Sequence, residues 1–422
     1  MKRLLFALGT IFIALVAMAC GGGPPGGGIA DVPSVADLST CETAGIASQS
    51  SDENIEQLRQ AMVAFRSSLS EELRTDASNC LDSQRFYIWH NTPNDGDTRH
   101  GIMYGELSDE QLGLFKALLE DFLSDDGYRK VDEITHLAEG FLNTINEEVW
   151  ATDYYSIDMF GDPENDGSWG FQLDGHHVAV NFLVHGDSVS IVPAFLGSEP
   201  VVGTLNGVEF DVFEAERELA IKLYNELSAT EAETAVSSDD DTTLMVGPAE
   251  QPGGDDPFIG DYDYSGFETG LRYADMSPTT QANLTALMQV YIYNLTTPFA
   301  DVWWEEIMAT IDDTYFVWIS EVESPTTLSP IYYRIYNPHV WIEYNIEGSI
   351  GNNVEDGNHA HTITRIPSTS NGGDYGIFAN VINGAGPSTL LEHYADVDHH
   401  ALNSLPFDYV LAEIDRHHHH DD

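Results

Sequence analysis

The feature that most constrains this chain is a change of hydrophobic period that occurs twice along its length. Segments whose apolar residues recur every three to four positions, as in amphipathic helices, give way to segments of alternating or continuous apolar residues, as in strands. The helical pattern covers residues 55–73, 112–122, 134–145 and 213–235, and the strand pattern covers 169–173, 178–184 and 189–195. Capping boxes are predicted at the first two helix starts, by Ser50 with Glu53 and by Ser108 with Gln111, and Ser277 before a proline predicts the start of a further helix. Helices followed by strands predict an α+β fold with an antiparallel sheet.

The same order of signals restarts in the second part of the chain. Residues 270–277 repeat the Gly, Tyr and Ser positions of residues 101–108 at an offset of 169 (270 minus 101). Residues 333–344 align with residues 171–182 at an offset of 162 (333 minus 171). The alternative is that the helical and strand patterns of the two parts match by chance. Two ordered matches at nearly equal offsets favour an internal duplication of a helices-then-sheet unit.

This repeat predicts a domain organisation of two halves. The first half covers residues 41–236 and the second covers residues 266–410. Residues 237–265, which are acidic and contain Pro and Gly, are predicted to form an exposed linker or long loop, with a calcium site as the weaker alternative. Residues 411–422 contain four consecutive histidines and are interpreted as an exposed tail outside any site.

The N-terminus has the composition of an export signal. Residues 1–19 combine two basic residues, a short apolar run and small residues before Cys20. Residues 20–40 begin with that cysteine and a Gly/Pro-rich stretch, which predicts a lipidated Cys20 and a flexible tether. Ala17 departs from the leucine that lipoprotein signals usually carry there, and ordinary secretion is the alternative. We therefore expect a cell-envelope protein on the periplasmic or outer side, which contacts the membrane only through its anchor.

The remaining two cysteines, Cys41 and Cys80, form an even pair in an oxidising compartment. A disulfide between them is expected to add about 3–4 kcal/mol to stability on the loop-entropy model. Two buried, unpaired thiols are the alternative.

The charge balance limits the partners of this chain. Asp and Glu number 70 against 16 Lys and Arg, which gives a formal net charge of −54. Such a surface repels nucleic acid and anionic membranes, so no nucleic-acid partner is expected. The remaining expected partner is a small-molecule ligand or substrate. The self-repulsion indicates adaptation to a saline environment, where salt screens it; a merely solubility-driven surface is the alternative.

Two histidine clusters carry the candidate chemistry. His359 and His361 are two residues apart in a strand pattern and therefore share one face, an arrangement that can place two imidazoles on one metal ion. His177 or Glu343 is the predicted third ligand of a divalent metal site, with zinc as the first candidate. Because adjacent residues of a strand point to opposite faces, His177 is favoured over His176.

Other polar residues complete the candidate site. Asn181 shares a strand face with His177, and Glu343 is a catalytic candidate as well as a possible ligand. Arg334 and Arg365 stand out in a chain with few cations, and each can bind a substrate carboxylate as a planar fork. The sequence thus predicts a metal-dependent, hydrolase-like enzyme that acts on a small anionic substrate.

Several alternatives remain at this point. The histidines can instead belong to a buried hydrogen-bonded network that ties the two halves together, or one can act as a metal-free catalytic base. Arg334 can pair with Glu343 as a core ion pair. A non-enzymatic surface module that binds a metal or small ligand is the second function considered.

An ordered set of polar and aromatic positions, taken together, resembles a known family of uncharacterised proteins, domain-of-unknown-function family 3500. The positions are Trp169-Gly170, Gly175-His176-His177, Asn181, Pro193, Glu199-Pro200, Tyr332-Tyr333-Arg334-Ile335, Ile342-Glu343, His359-Ala360-His361, Arg365 and Asp374-Tyr375-Gly376. The resemblance covers roughly residues 85–394. The resemblance implies that these positions belong to the family signature. It implies no activity for this chain, because the family consists of uncharacterised proteins. The chain departs from the pattern by an insertion at residues 367–373 and by His339, which stands at a variable position.

Overall fold

The computed structural model describes residues 34–41, 45, 47–81, 83, 85, 91, 100–146, 152–237, 244, 266–320, 322, 324–347 and 358–367. The predicted signal peptide, Cys20, nearly all of the acidic segment and the histidine tail lie outside these residues. Among the described helices, none combines the length and apolarity needed to cross a bilayer.

The helices of the N-terminal part begin at capping residues. Their bounds are α1 Glu53–Ser68, α2 Glu71–Ala77 and α3 Asp109–Phe122. The capping box predicted for Ser108 and Gln111 is present at the start of α3. The one predicted at Ser50 is wrong: Asp52 caps α1, because its carboxylate accepts from the backbone N–H groups of Asn54 (2.8 Å) and Ile55 (3.3 Å).

The third predicted helix is longer than its hydrophobic pattern. It consists of α4 Asp125–Asp132, a π-helical turn Glu133–Ala138 and α5 Glu139–Asn146. The helix predicted for residues 213–235 is two helices, α6 Glu214–Asn225 and α7 Ala229–Ala235. Ser228 interrupts it, because its side chain caps α7 and leaves the helical path. The second part of the chain adds α8 Pro278–Ile292, capped by Ser277 as predicted, and α9 Phe299–Ala309.

The strands are mostly antiparallel, as predicted. Their bounds are β1 Ser78–Asn79, β2 Ile102–Met103, β3 Ser156–Gly161, β4 Ser168–Gly175, β5 Val178–His185, β6 Ser188–Ser190, β7 Ala194–Ser198, β8 Val202–Leu205, β9 Val208–Asp211, β10 Leu271–Arg272, β11 Tyr315–Ile319, β12 Tyr332–Asn337, β13 Val340–Glu347 and β14 His359–Arg365. The strand predicted over 189–195 is split between β6 and β7.

One sheet joins strands from both predicted halves. Its order is β1-β3-β4-β5-β7-β14-β13-β12-β11-β10, with β2 on β3 and β6 on β5, while β8 and β9 form a separate hairpin. The pairing of β7 with β14, in which Leu196 lies opposite Thr362, joins the two parts at the centre. Only β1 and β3 run parallel within the described sheet.

The two faces of this sheet differ in chemistry. Side chains such as Phe171 and Phe182 point to the helices, where the ring of Phe122 from α3 packs edge-on against both. The alternate positions carry buried polar groups such as Gln172 and Asn181, whose side chains are hydrogen-bonded at 2.6 Å. A buried polar face is costly unless its groups are hydrogen-bonded or bind something, so it is the place to look for a site.

The disulfide predicted between Cys41 and Cys80 is present, with a Cα–Cα distance of 5.6 Å. It links the segment before α1 to the end of β1. The prediction of two free thiols is therefore excluded.

Candidate metal centre

Two histidines form the tight turn between β4 and β5. Gly175 pairs with Val178 across the hairpin, so His176 and His177 make up the whole loop. His177 has a φ of 63°, in the left-handed region that non-glycine residues rarely adopt. The Tyr155 hydroxyl donates to the His176 carbonyl (2.7 Å) and fixes the turn.

The prediction that His176 and His177 point to opposite strand faces is wrong. Both residues lie in the turn, where the two-residue alternation of a strand does not apply. Their rings stack with centroids 3.7 Å apart, and both are buried. His176 is consequently part of the same cluster as His177.

The other histidines lie on β14. His359 and His361 are two residues apart on this strand, and their ring centroids are 4.4 Å apart. His361 lies opposite Gly197 of β7, and His359 lies opposite Glu347 of β13. Both histidines are buried, with 0% and 4% of their surface exposed.

The turn and the strand bring three imidazoles together. His177 Nε2 lies 3.1 Å from His359 Nε2, and the ring centroids of His177 and His361 are 5.2 Å apart. One nitrogen from each of these three side chains lies within 4.8 Å of the other two. The three predicted metal ligands therefore converge, although His177 and His361 are 184 residues apart in the chain (361 minus 177).

Gly197 makes this convergence possible. A Cβ atom built on Gly197 would lie 2.7 Å from His361 Cδ2 and 2.8 Å from His177 Cδ2. Real Cβ atoms essentially never approach this closely, so any side chain here would push the two rings apart. The sequence offered no signal for this glycine beyond its position in a strand pattern.

Glu139 is a further member of the cluster, and it was not predicted from the sequence. It is the first residue of α5, it is 1% exposed, and its Oε1 lies 2.5 Å from His176 Nδ1. Donor atoms of Glu139, His176 and His177 lie within 4.8 Å of one another. The sequence marked Glu139 only as a position within the helical pattern predicted over residues 134–145.

Burial sets the protonation of these groups. It raises the pKa of the Glu139 carboxyl well above its ordinary value, with the Tyr155 hydroxyl opposing the shift. Burial also lowers the pKa of His177 well below its ordinary value, and the neighbouring imidazoles of His176, His359 and His361 add to this effect. Neutral imidazole is the form that offers a lone pair to a metal ion.

Glu343 lies outside both groups of donor atoms formed by the described residues. Its Oε1 accepts from the Tyr332 hydroxyl (2.7 Å) and its Oε2 accepts from Trp341 Nε1 (2.8 Å). It pairs with Ile363 across β13 and β14. Of the two predicted third ligands, His177 and not Glu343 joins His359 and His361.

The remaining predicted site residues occupy the same sheet face. Arg334 donates to Thr269 Oγ1 (2.8 Å) and its guanidinium lies over the ring of Phe267 (5.0 Å to the centroid). Asn181 donates to the carbonyl of Pro193 (2.8 Å) and accepts from Gln172, so it ties β5 to its neighbours. Arg365 is fully buried at the end of β14, opposite Trp341.

The donor set suits a borderline transition metal. Imidazole nitrogens suit zinc, copper, iron and nickel, and a carboxylate can complete such a site. Zn–N bonds of about 2.0–2.1 Å place tetrahedral ligand nitrogens about 3.4 Å apart. The 3.1 Å separation between the His177 and His359 nitrogens is close to that value. Small shifts of the rings would therefore admit an ion.

Comparison with known proteins places the chain in a family. A search of curated proteins and a search of solved structures each returned no match. The model of the family described as protein of unknown function (DUF3500) matches residues 51–377, which include the histidine turn and the whole of β14. The resemblance seen in the sequence is thus confirmed, and the chain belongs to the DUF3500 family.

Proposed function

We propose that this protein binds a divalent transition metal, with zinc as the first candidate, through His177, His359 and His361, and uses it to hydrolyse a small anionic substrate. The observation that carries the proposal is the convergence of these three buried imidazoles, with donor nitrogens within 4.8 Å of one another.

A metal ion accounts for this packing better than hydrogen bonds among the rings. Two facing imidazole nitrogens can share only one proton, whereas an ion accepts a lone pair from each. Three histidine ligands also leave one tetrahedral position for water, the arrangement of catalytic zinc sites. A zinc ion there would lower the pKa of its bound water and supply a hydroxide nucleophile.

The sheet face offers groups for a substrate beside the metal. Arg365 lies on the face of β14 that carries His361, four residues further along, or about 13 Å at the rise of a strand. Between them lies Ile363, and Glu343 pairs with it on β13. In this proposal Arg365, with Arg334 on β12, binds the anionic end of the substrate, and Glu343 transfers a proton at its middle.

The test is metal content. A full-length variant in which residues 417–420 are replaced by alanine removes the terminal histidines as a source of bound metal. Elemental analysis after dialysis against a weak chelator is expected to find at least one zinc-class ion per chain, and His359→Ala or His361→Ala is expected to lose it. His339→Ala is the matched control. No ion in the parent, together with no change in the variants, would overturn the proposal.

One observation favours a second function, a non-enzymatic module that holds a metal or small ligand. All three histidines are nearly inaccessible, at 1%, 0% and 4% exposure. Closed sites of this kind are typical of structural metals. Stabilisation by zinc without turnover of phosphoester, ester or amide substrates would favour this function over hydrolysis.

We also propose that the protein is lipid-anchored at Cys20 in the cell envelope and adapted to salt. The Cys41–Cys80 disulfide is consistent with an oxidising compartment. The net charge of −54 supports adaptation to salt, because screening relieves self-repulsion. We expect a higher melting temperature in molar KCl than in dilute buffer; an equal or lower value would exclude this adaptation. Metabolic labelling with a fatty acid, compared between the parent and Cys20→Ser, tests the anchor.

We further propose that the two halves arose by duplication. The short strands β2 and β10 each follow a glycine with positive φ, Gly101 (77°) and Gly270 (99°). A Cβ on either would collide with a carbonyl oxygen of the next long strand, that of Ile157 (2.1 Å) or Phe316 (2.3 Å). The ends of α3 and α8 also exchange backbone hydrogen bonds, through the Leu123–Leu295 bridge. Alignment of many family members should then show the two repeats more clearly than this chain does.

A further inference from the structure

Glu139 and His176 have no role in the site proposed so far, although they lie directly beside it. We infer that they form, with His177, a second metal position, so that the cluster holds two ions bridged by the His177 imidazole. This inference rests on the proposed function, because the first ion is the one bound by His177, His359 and His361.

The donor atoms of the cluster form two groups, which is the arrangement that two ions require. Two groups of three donor atoms, each within 4.8 Å, are present among the described residues, and they have only His177 in common. His177 Nε2 faces His359 at 3.1 Å and thus belongs to the first group. A ring nitrogen binds one ion at a time, so sharing His177 requires its second nitrogen, Nδ1.

The second nitrogen of His177, Nδ1, is available to bind an ion. His177 is 1% exposed, and its Nδ1 has no hydrogen-bond partner among the residues that the structure describes. A buried polar atom without a partner is costly and is rare in folded proteins. A second ion would satisfy it, and the imidazole would then bridge the two ions as an imidazolate after losing its remaining proton to solvent.

The side chains of Glu139 and His176 supply the other two donor atoms of the second position. Glu139 Oε1 and His176 Nδ1 are 2.5 Å apart, each nearly fully buried. A carboxylate and two imidazoles form a common donor set for zinc and for copper. Binding of the second ion would release the proton of the Glu139 carboxyl to solvent. The negative charges of the carboxylate and of the imidazolate would then offset part of the charge of two divalent ions, which burial otherwise makes costly.

The helix that carries Glu139 also provides a matched control. His136 Nδ1 and Asp132 Oδ1, one to two turns earlier, form a histidine–carboxylate pair at 3.1 Å that is partly exposed and belongs to neither group. Glu139→Gln and His176→Ala remove donors of the second position only. Asp132→Asn and His136→Ala remove an equivalent pair elsewhere.

The experiment is a Zn²⁺ titration of the full-length variant without terminal histidines, followed by gel filtration and elemental analysis. We expect two ions per chain in the parent and in both controls, and one ion in Glu139→Gln and in His176→Ala. Circular dichroism checks that each variant folds, and the near-isosteric Glu139→Gln keeps the test valid if His176→Ala does not fold. One ion in the parent, unchanged in Glu139→Gln, would overturn this inference and leave the proposed function standing. No ion in the parent would overturn both.

Loading with Cu²⁺ tests the bridge itself. Two copper ions joined by the His177 imidazolate are expected to couple magnetically, so the electron paramagnetic resonance signal should fall well below that of two isolated ions. Glu139→Gln should restore the signal of one isolated copper. A parent signal equal to two uncoupled ions would contradict the bridge through His177.

Discussion

Two hairpin turns occupy matching places in the sheet but have opposite surroundings. The β4–β5 turn is His176-His177 and the β12–β13 turn is Pro338-His339, and each is a two-residue loop. His177 is buried among other imidazoles, whereas the His339 side chain is 22% exposed and lies 3.8 Å from Glu306. A two-residue loop thus carries a buried cluster in one place and a partly exposed histidine in the other. The backbones of the two turns also differ, because His177 has a φ of 63° whereas His339, which is also described, does not have a positive φ. Both the conformation of the turn and the residues packed on it therefore distinguish the site.

The interiors of the two hairpins differ in the same way. Four residues before each turn stands Gln172 or Arg334, and four residues after it stands Asn181 or Glu343. The first pair consists of two amides hydrogen-bonded at 2.6 Å, and the second pair consists of an arginine and a carboxyl group. At these matched positions the second hairpin thus has an arginine and a carboxyl group where the first has two amides, and Glu343 lies opposite Ile363 of β14.

The largest effect is expected from a substitution in the histidine cluster, compared with one at the β12–β13 turn. His361→Ala removes a ligand from the first site and should weaken Zn²⁺ binding at least a thousandfold, about 4 kcal/mol. His339→Ala, at the matching turn, should leave affinity unchanged. Competition with a chromophoric chelator measures both, and equal effects of the two substitutions would contradict the assignment.

The second-largest expected effect concerns the disulfide, which lies entirely in the first part of the chain. Replacing Cys41 and Cys80 with serine should lower the free energy of unfolding by about 3–4 kcal/mol, because the unfolded chain regains the freedom that the loop removes. Urea denaturation measures this loss, and Cys20→Ser is the control. Hydrogen exchange should increase around α1 and β1 and not in β12 and β13. A uniform increase across the sheet would show that the parts do not respond separately.

Gly197 offers a finer test of why only one turn forms a cluster. Gly197→Ala should separate the rings of His177 and His361, cost about 2 kcal/mol through overpacking, and reduce Zn²⁺ affinity about tenfold. Gly113→Ala is the control, because no atom lies within 4 Å of its Cβ position on α3, and it should stabilise the protein slightly. Unchanged zinc affinity in Gly197→Ala would mean that the rings do not need this close approach.

The smallest effect concerns a residue that joins the two parts. Glu231 accepts from the backbone N–H of Ser228 (2.8 Å) at the start of α7 and from that of Ser277 (2.7 Å) at the start of α8. Burial acts to raise the pKa of Glu231, but its hydrogen bonds outweigh burial and lower the pKa from 4.5 to about 2. The stability they contribute is present above pH 4.5 and is lost as pH falls towards 2.

Glu231→Gln should therefore cost about 1 kcal/mol at pH 7 and less at low pH. Thermal unfolding of the parent and the variant at several pH values between 7 and 3 measures the difference. A difference that stays constant over this range would show that the carboxylate charge does not contribute.

Much of the fold could be predicted from the sequence because periodicity and caps are local signals. Ser108 and Ser277 begin helices where expected, and the strand pattern around residues 178–184 lies within β5. Other helix boundaries depend on which of several polar residues caps the helix, and hydrophobic periodicity does not show this. Asp52 rather than Ser50 caps α1, and Ser228 divides one predicted helix into two.

The site was predictable only in part, for a physical reason. His359 and His361 share a face because strand alternation is fixed by backbone geometry. His176 was misplaced because a tight turn releases residues from that alternation. Glu139 and Gly197 were missed because their contribution depends on the packing of α5 and β7 against the turn, which no local pattern encodes.

The central claim is that a metal ion lies between His177, His359 and His361. Crystals of the full-length variant without terminal histidines, grown with Zn²⁺, should be measured on both sides of the zinc absorption edge. We expect an anomalous peak within bonding distance of one ring nitrogen of each of these histidines. Rings joined only by hydrogen bonds, with no peak among them at saturating Zn²⁺, would contradict the claim.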